Sequence, residues 1–281
     1  MDAPKESAIS AMPAEIELSD ALYRKFRDLL AERTGIDLKQ YKKYLVVHRL
    51  SRLVGPGRDY ADFGAFHDAL VAPGSDALMT TFINLLTTNY SYFFRDPVHF
   101  SILRDHLARA VERESCVRLW SAAASSGEEA YSMAITALDN GFDRHRDFKI
   151  LATDISTRML ERAEEGVYPE DRVRKELRAE DERLWFDRTP AGELLVRDRV
   201  RSLVSFRYLN LLSPFPFSRP MDVVFLRNVL IYFGKEEKEL VLEGVWDCLK
   251  PGGLLVVGLS ESLVGYRHRF AMERNSVYRK A

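Results

Sequence analysis

The stretch VRLWSAAASSGEEAYSMAI, followed closely by FKILATDIS, constrains this chain more than any other. It reads as an apolar strand, a turn of small residues around Gly127, a helix opening on Glu128 and Glu129, and a second apolar strand ending at Asp154. That is a βαβ unit. In open sheets built from such units, ligands sit in the crevice beyond the carboxyl ends of the strands. The small residues of 122–127 let backbone approach a ligand closely. An acid ending the next strand is placed to accept hydrogen bonds from ribose hydroxyls. A dinucleotide fingerprint needs several glycines and a helix N-terminus free for pyrophosphate. Here there is one glycine, with two carboxylates where phosphate would lie. The expected ligand therefore carries a ribose and positive charge but no phosphate, a description that fits S-adenosylmethionine. The plain alternative is that the two acids only complement the helix dipole. Asp154 favours the ligand.

Strand and helix patterns keep alternating from about Val117. VRLWSAA, FKILATD, VSFRYLN, MDVVFLRN and GLLVVGLS are apolar runs suited to a sheet covered on both faces. EEAYSMAITALDN, TRMLERAEEGVY and KEEKELVLEGVWDCLK are the helices between them, the last expected to stop at Pro251 and Gly252. The fold class expected is α/β, a doubly wound, mostly parallel sheet. Ahead of it, LSDALYRKFRDLLAERTG offers Ser19 as an N-cap and Gly35 as a stop, and three more helical patterns follow before Thr88. The domain expectation is a flexible tail over 1–15, a small all-helical domain over 16–88, and the α/β domain over 89–281.

Two features suggest partners. Between Asp37 and Asp59 there is no acid, while Lys39, Lys42, Lys43, Arg49, Arg52 and Arg58 all fall there. This is either a solvated helix face or a surface that recruits an acidic partner. Between Tyr168 and Phe206 an Arg-rich helical piece precedes two strand-like runs separated by Pro190 and Gly192. An inserted antiparallel β-subdomain over about 168–207 is expected, as plain elaboration or as a docking edge for a peptide strand.

Polar residues cluster where such a sheet places its site. TTNYSYFFRDPVHF sets Asn89, Ser91 and Arg95 among aromatics. Asn210 ends one strand, suited to an adenine edge or to a turn. Arg227 and Asn228 follow the fourth strand, with Tyr232 on the same face if that turn is helical.

In order, TTNYSYFFRDPVHF, RLWSAAASSGEEAYSMAI, ILATDIS, NLL, VVFLRNVLIYF and LKPGGLLVVGLSES resemble the chemotaxis receptor methyltransferase family, CheR, from Thr87 to the C-terminus. The resemblance implies a class I methyltransferase-like sheet and methyl transfer from S-adenosylmethionine, giving S-adenosylhomocysteine. The acceptors it implies are glutamates on chemoreceptor cytoplasmic helices, which become methyl esters. It implies cofactor contacts at Asn89, Ser91, Arg95, Glu129, Asp154, Asn210, Leu211, Arg227 and Asn228, with Arg95 and Tyr232 nearest the methyl group and no metal. The basic helix would meet the acidic methylation helices, and the β-subdomain a receptor tail peptide. The enzyme is expected to be cytoplasmic and monomeric. Ser91 stands where the family often has Thr, and keeps the hydroxyl.

Composition sets the remaining bounds. The 281-residue chain has a formal net charge of -1, so no global field draws it to nucleic acid. No apolar run approaches a membrane span. Cys116 and Cys248 form no metal-ligand or disulfide pattern. Two rivals remain. One is a class I methyltransferase acting on a small molecule or nucleic acid. The other is a non-catalytic signalling scaffold.

Overall fold

A computed structural model describes residues 17–112, 116–142, 147–177 and 179–281. The tail expected over 1–15 lies outside them.

Four helices come first: α1 (Asp20–Thr34), α2 (Lys43–Leu50), α3 (Phe63–Val71) and α4 (Asp76–Leu86). Ser19 caps α1 by accepting from the Leu22 amide, and Gly35 ends it in the left-handed region, as the sequence pattern implies. The second helix is shorter than its pattern suggests. A 3-10 turn over Gln40–Lys42 leads into α2, which unwinds after Leu50. Their apolar faces meet in a core of their own around Phe26, Phe66 and Phe82.

A fifth helix that the sequence reading did not assign, α5 (Pro97–Glu112), opens the α/β domain. Pro97 sits at its first position, where a missing N–H costs nothing. There follow β1 (Val117–Ala122), α6 (Glu128–Asp139), β2 (Phe148–Asp154), α7 (Thr157–Glu165) and β3 (Val167–Tyr168). Next come α8 (Glu170–Val173), α9 (Ala179–Trp185), β4 (Phe186–Arg188), β5 (Leu194–Val196), α10 (Asp198–Arg201) and β6 (Val204–Tyr208). The chain closes with β7 (Met221–Leu226), α11 (Lys235–Cys248), β8 (Leu249–Val257), β9 (Ala271–Arg274) and β10 (Val277–Arg279). Strand β8 begins directly after α11, so Pro251 and Gly252 lie inside a strand rather than at a helix stop.

The main sheet has seven strands in the order β6-β2-β1-β7-β8-β10-β9. The first five are mutually parallel, and β10 runs antiparallel to both β8 and β9. Strand order reverses between β1 and β7, so the connections leave their carboxyl ends in opposite directions and a crevice opens there. The insertion forms a separate three-stranded antiparallel sheet, β3-β5-β4, one strand more than the hairpin expected.

The helical domain closes over that crevice. The Asp37 amide donates to the Tyr232 carbonyl at 2.9 Å, and Asn210 Nδ2 donates to the Arg33 carbonyl at 2.9 Å. Asn84 of α4 accepts from Ser156 Oγ at 2.7 Å and donates to Thr157 Oγ1 at 2.9 Å. Ile36 and Phe233 form an antiparallel bridge.

Behind the crevice, His99 of α5 is fully buried, with Nε2 2.8 Å from Ser276 Oγ. Burial, reinforced by Arg227 and opposed by Asp96, pushes its pKa from 6.5 down to about 4. A folded pKa below the unfolded one means that the unfolded chain takes up the proton first. The stability this histidine contributes is therefore present above about pH 6.5 and is lost as pH falls toward 4. Between pH 7.5 and pH 5 the loss from this group should be about 2 kcal/mol. Urea unfolding of the wild type and His99→Gln at both pH values measures it. The variant should lose about 2 kcal/mol less than the wild type over that interval. Equal losses would show that His99 takes up its proton equally in both states.

Candidate functional site at the switch point

The cleft above the β1–β7 reversal spans about 1140 Å³, counting the space open to solvent at its mouth. All ten residues singled out from the sequence line it. Asn89, Ser91 and Arg95 come from the strap ahead of α5. Glu129 comes from the first turn of α6, and Asp154 from the end of β2. Asn210 and Leu211 follow β6, and Arg227, Asn228 and Tyr232 follow β7.

One wall is the loop after β1, where the small residues Ala123, Ala124 and Ser125 line the cleft. Asp154 anchors it. One carboxylate oxygen accepts the Ser125 amide at 2.8 Å and the other the Ser156 amide at 2.8 Å. Burial pushes this carboxyl up, and those amides pull it back only in part. The Ile155 amide is a third donor, so of the two lone pairs on each oxygen one in all remains to receive a ligand hydroxyl.

Glu129 is held from two sides, by Ser121 Oγ at 2.7 Å and Arg227 Nη1 at 2.8 Å. Burial raises its pKa and Arg227 opposes the rise. Glu128 does not face this cleft, contrary to the sequence expectation for the two acids. It is buried toward a neighbouring cavity, where Ser126 and Arg172 bond it. Of the two acids at the helix start only Glu129, already paired, therefore faces the cleft.

Arg227 is the most buried cation of the site. It donates to Glu129, to Asp96 Oδ2 at 2.6 Å and to the Arg95 carbonyl at 2.6 Å. Arg95 itself is half-buried, donating to the Tyr90 carbonyl at 3.0 Å, with its guanidinium 5.8 Å and 5.9 Å from the Tyr90 and Tyr92 ring centres. Tyr232 lies in a 3-10 turn, Leu230–Tyr232, and Asn228 has φ 58. They reach one cleft through loop geometry rather than along a helical face. Burial keeps the Tyr232 phenol above its usual pKa, so it is a neutral donor near pH 7. The Asn210 amide is engaged on both sides, by Arg33 and by the Leu212 amide, so its turn role is the one realised here.

Five of the six described non-glycine residues at positive φ border this cleft or its strap: Phe94, Asp96, Ala123, Ser125 and Asn228. Each such conformation costs on the order of 1–3 kcal/mol and persists only where the surroundings over-determine it. Glu261, which no sequence signal beyond the GLSES run marked, supplies part of that constraint. Its carboxylate accepts the Asn228 and Gly258 amides, each at 2.7 Å.

A cation bearing a ribose fits this lining. Asp154 can accept a hydroxyl, the small loop residues allow close approach, and Ile155, Leu209 and Leu211 offer apolar surface to a flat ring. Among the described residues there is no group of three or more His, Cys, Asp or Glu side chains suited to a metal ion.

A five-stranded parallel core ending in an antiparallel pair, with its ligand cleft at the strand reversal, defines a class I methyltransferase-like fold. The chain belongs to the CheR methyltransferase family. The all-alpha domain of that family matches residues 21–87 and its SAM binding domain matches residues 89–279. A chemotaxis protein methyltransferase of Klebsiella aerogenes is 38% identical, covering 97% of this chain and 93% of its own. The chemotaxis protein methyltransferase of Escherichia coli is 36% identical, covering 97% and 95% respectively. In Pseudomonas aeruginosa, chemotaxis protein methyltransferase 2 is 37% identical, covering 92% of both chains. The chain is thus an S-adenosylmethionine-dependent methyltransferase of a chemotaxis family.

Gly127 is corrected by the structure. It does not line the cleft. It has φ 94, and a Cβ there would lie 2.8 Å from Ala163 Cβ and 3.2 Å from Ala163 Cα. Its smallness serves helix packing rather than ligand approach. Gly127→Ala should lower stability by about 3 kcal/mol, combining left-handed strain with overpacking. Urea denaturation measures it, and a loss below about 0.5 kcal/mol would remove the packing explanation.

Proposed function

We propose that the chain transfers a methyl group from S-adenosylmethionine to glutamate side chains of chemoreceptor cytoplasmic helices, giving glutamyl methyl esters. The observation that supports this best is the convergence of the ten residues on one cleft at the strand reversal, in a chain of this family. In this reading Asp154 takes a ribose hydroxyl, residues 123–125 and Leu211 flank the adenosine, and Glu129 faces the amino-acid end. Asn89, Ser91, Asn210, Arg227 and Asn228 complete the enclosure.

S-adenosylmethionine, when bound, supplies an electrophilic methyl group. A glutamate has an unperturbed pKa of about 4.3, so the acceptor arrives ionised and needs no general base. The protein's contribution is then alignment, with reacting atoms held at roughly 3 to 3.5 Å. Arg95 suits that task because its guanidinium is already oriented by the Tyr90 carbonyl and two rings. A tight bidentate pair would blunt the nucleophile, so its role is steering. Tyr232, a neutral phenol, adds one hydrogen bond.

Acidic receptor helices would approach along the face of α2, and the structure narrows which cations are free to meet them. Lys39 pairs with Asp37 and Lys43 with Asp20, each at 2.5 Å. Arg49 donates to the Leu86 and Thr87 carbonyls and so caps α4. Lys42 stands 5.6 Å from the Tyr232 ring centre, at the cleft itself. The β-subdomain remains the proposed seat of a receptor tail peptide.

Transfer of tritiated methyl to receptor cytoplasmic fragments, released as methanol by mild base, tests the reaction. Tyr232→Phe should lower turnover about three- to tenfold, the worth of one hydrogen bond. Its pH profile should stay flat from about pH 6.5 to 8.5, because the acceptor is ionised throughout. A basic limb that vanishes in the variant would instead assign a general base. Base-stable product would favour another class of acceptor.

A further inference from the structure

The loop after β7 carries three cleft residues, Arg227, Asn228 and Tyr232, and a side chain from the loop after β8 holds it. Glu261 is buried and is not among the residues that line the cleft. Its Oε2 accepts the Asn228 and Gly258 amides, each at 2.7 Å, and its Oε1 accepts the Ile231 amide at 3.3 Å. Among the described residues no ion pair engages it, so backbone amides alone answer its charge. One carboxylate thus bridges both ends of the segment 228–231, immediately ahead of Tyr232. Hydrogen bonds from amides to a charged acceptor are stronger than neutral ones, and burial strengthens them further.

Local structure makes that bridge necessary. Asn228 stands at φ 58, a conformation that a non-glycine residue keeps only where its surroundings over-determine it. Tyr232 ends a single 3-10 turn that has no side-chain cap. So short a turn has little stability of its own. The close approach of the two loops requires Gly258, where a Cβ would lie 2.7 Å from Asn228 Nδ2 and 2.8 Å from Glu261 Oε2. From the other side the helical domain meets the turn, the Asp37 amide donating to the Tyr232 carbonyl at 2.9 Å. The Tyr232 backbone is therefore fixed between two supports, and one of them is a single side chain. Burial raises the Tyr232 phenol against Arg95 and Arg49, and the Glu261 charge adds to the rise.

We infer that Glu261 is a positioning residue for methyl transfer, acting through the loop after β7 to hold the Tyr232 phenol in line with the reacting atoms. The inference rests on the proposed function, because Tyr232 aligns the acceptor of that reaction. Glu261 itself touches neither cofactor nor acceptor. Its effect on turnover is bounded by what Tyr232 contributes.

The experiment uses the full-length enzyme and receptor cytoplasmic fragments, with kcat read at saturating S-adenosylmethionine and saturating fragment. Glu261→Gln keeps one carbonyl acceptor and sets an NH2 group against the remaining amides, so the bridge is lost. Its kcat should fall about three- to tenfold, no further than that of Tyr232→Phe, with KM for the fragment little changed. In the double variant kcat should equal that of Tyr232→Phe alone, because a residue that acts only through another adds nothing once the other is gone. Glu261→Asp keeps the charge but is one methylene short of bridging both ends. It should show an intermediate loss of kcat, and none in the Tyr232→Phe background, and it carries the test if the Gln variant does not fold. Unchanged kcat in the Glu261 variants overturns the inference. So does a loss that multiplies with that of Tyr232→Phe, which would mean a general structural role, or a raised KM with intact kcat, which would mean contact with the fragment. If the wild type forms no methyl ester on any fragment, the proposed function fails and takes this inference with it. Failure of this inference alone leaves wild-type methylation, and its reduction in Tyr232→Phe, intact.

Discussion

The guanidinium of Arg227 ties together three segments that are far apart in the sequence. It sits just past the end of β7, with its side chain 1% exposed, and donates to Glu129 of α6 and to Asp96 and the Arg95 carbonyl of the strap. A buried charge is tolerated only when its donors are used and its charge is balanced. Two carboxylates and a carbonyl satisfy that here, leaving Nε alone without a partner. Removing one partner from a buried pair typically costs about 3–5 kcal/mol, because the remaining charge stays buried. The strap that carries Asn89, Ser91 and Arg95 is therefore anchored to the sheet electrostatically rather than by a strand pairing.

That anchor explains where the strain lies. Phe94 and Asp96 flank Arg95 at positive φ, while Ala123, Ser125 and Asn228 adopt it in the two loops below. Asp154, Glu261 and Arg227 hold these turns by accepting or donating at their backbone groups. Buried carboxylates thus do structural work at the positions where the ligand cleft is built. Asp154 and Glu129 carry both a scaffold bond and a face toward the cleft, so a substitution there perturbs shape as well as binding.

The helical domain closes one side of the cleft. The bonds Asp37–Tyr232, Asn210–Arg33 and Asn84–Ser156 all cross between the domains close to the crevice. The insertion contributes from the other side through Arg172, which touches the Ser91 carbonyl and Glu128 together. The helical domain and the insertion thus share walls with the cleft, and a second, arginine-lined cavity lies where those walls join.

Local chemistry made much of this legible in the chain itself. Apolar runs separated by helical periods specify a parallel sheet, because such strands are covered on both faces. Ser19 and Gly35 mark α1, and Asp154 and the polar residues after β6 and β7 mark strand ends. What the chain could not reveal is which way each polar group turns and with whom it pairs. Adjacent Glu128 and Glu129 diverge to different cavities because successive helical positions lie about 100° apart. Gly127 answers to Ala163, thirty-six places along, and Lys43 to Asp20 across two helices. Arg49, Arg52, Arg158 and Arg172 converge from distant segments. Hydrophobic period and turn chemistry are properties of neighbouring residues, so the sequence by itself determined the elements and their class. Charge pairing, burial and cavity shape depend on which elements touch, and only the tertiary structure decided those.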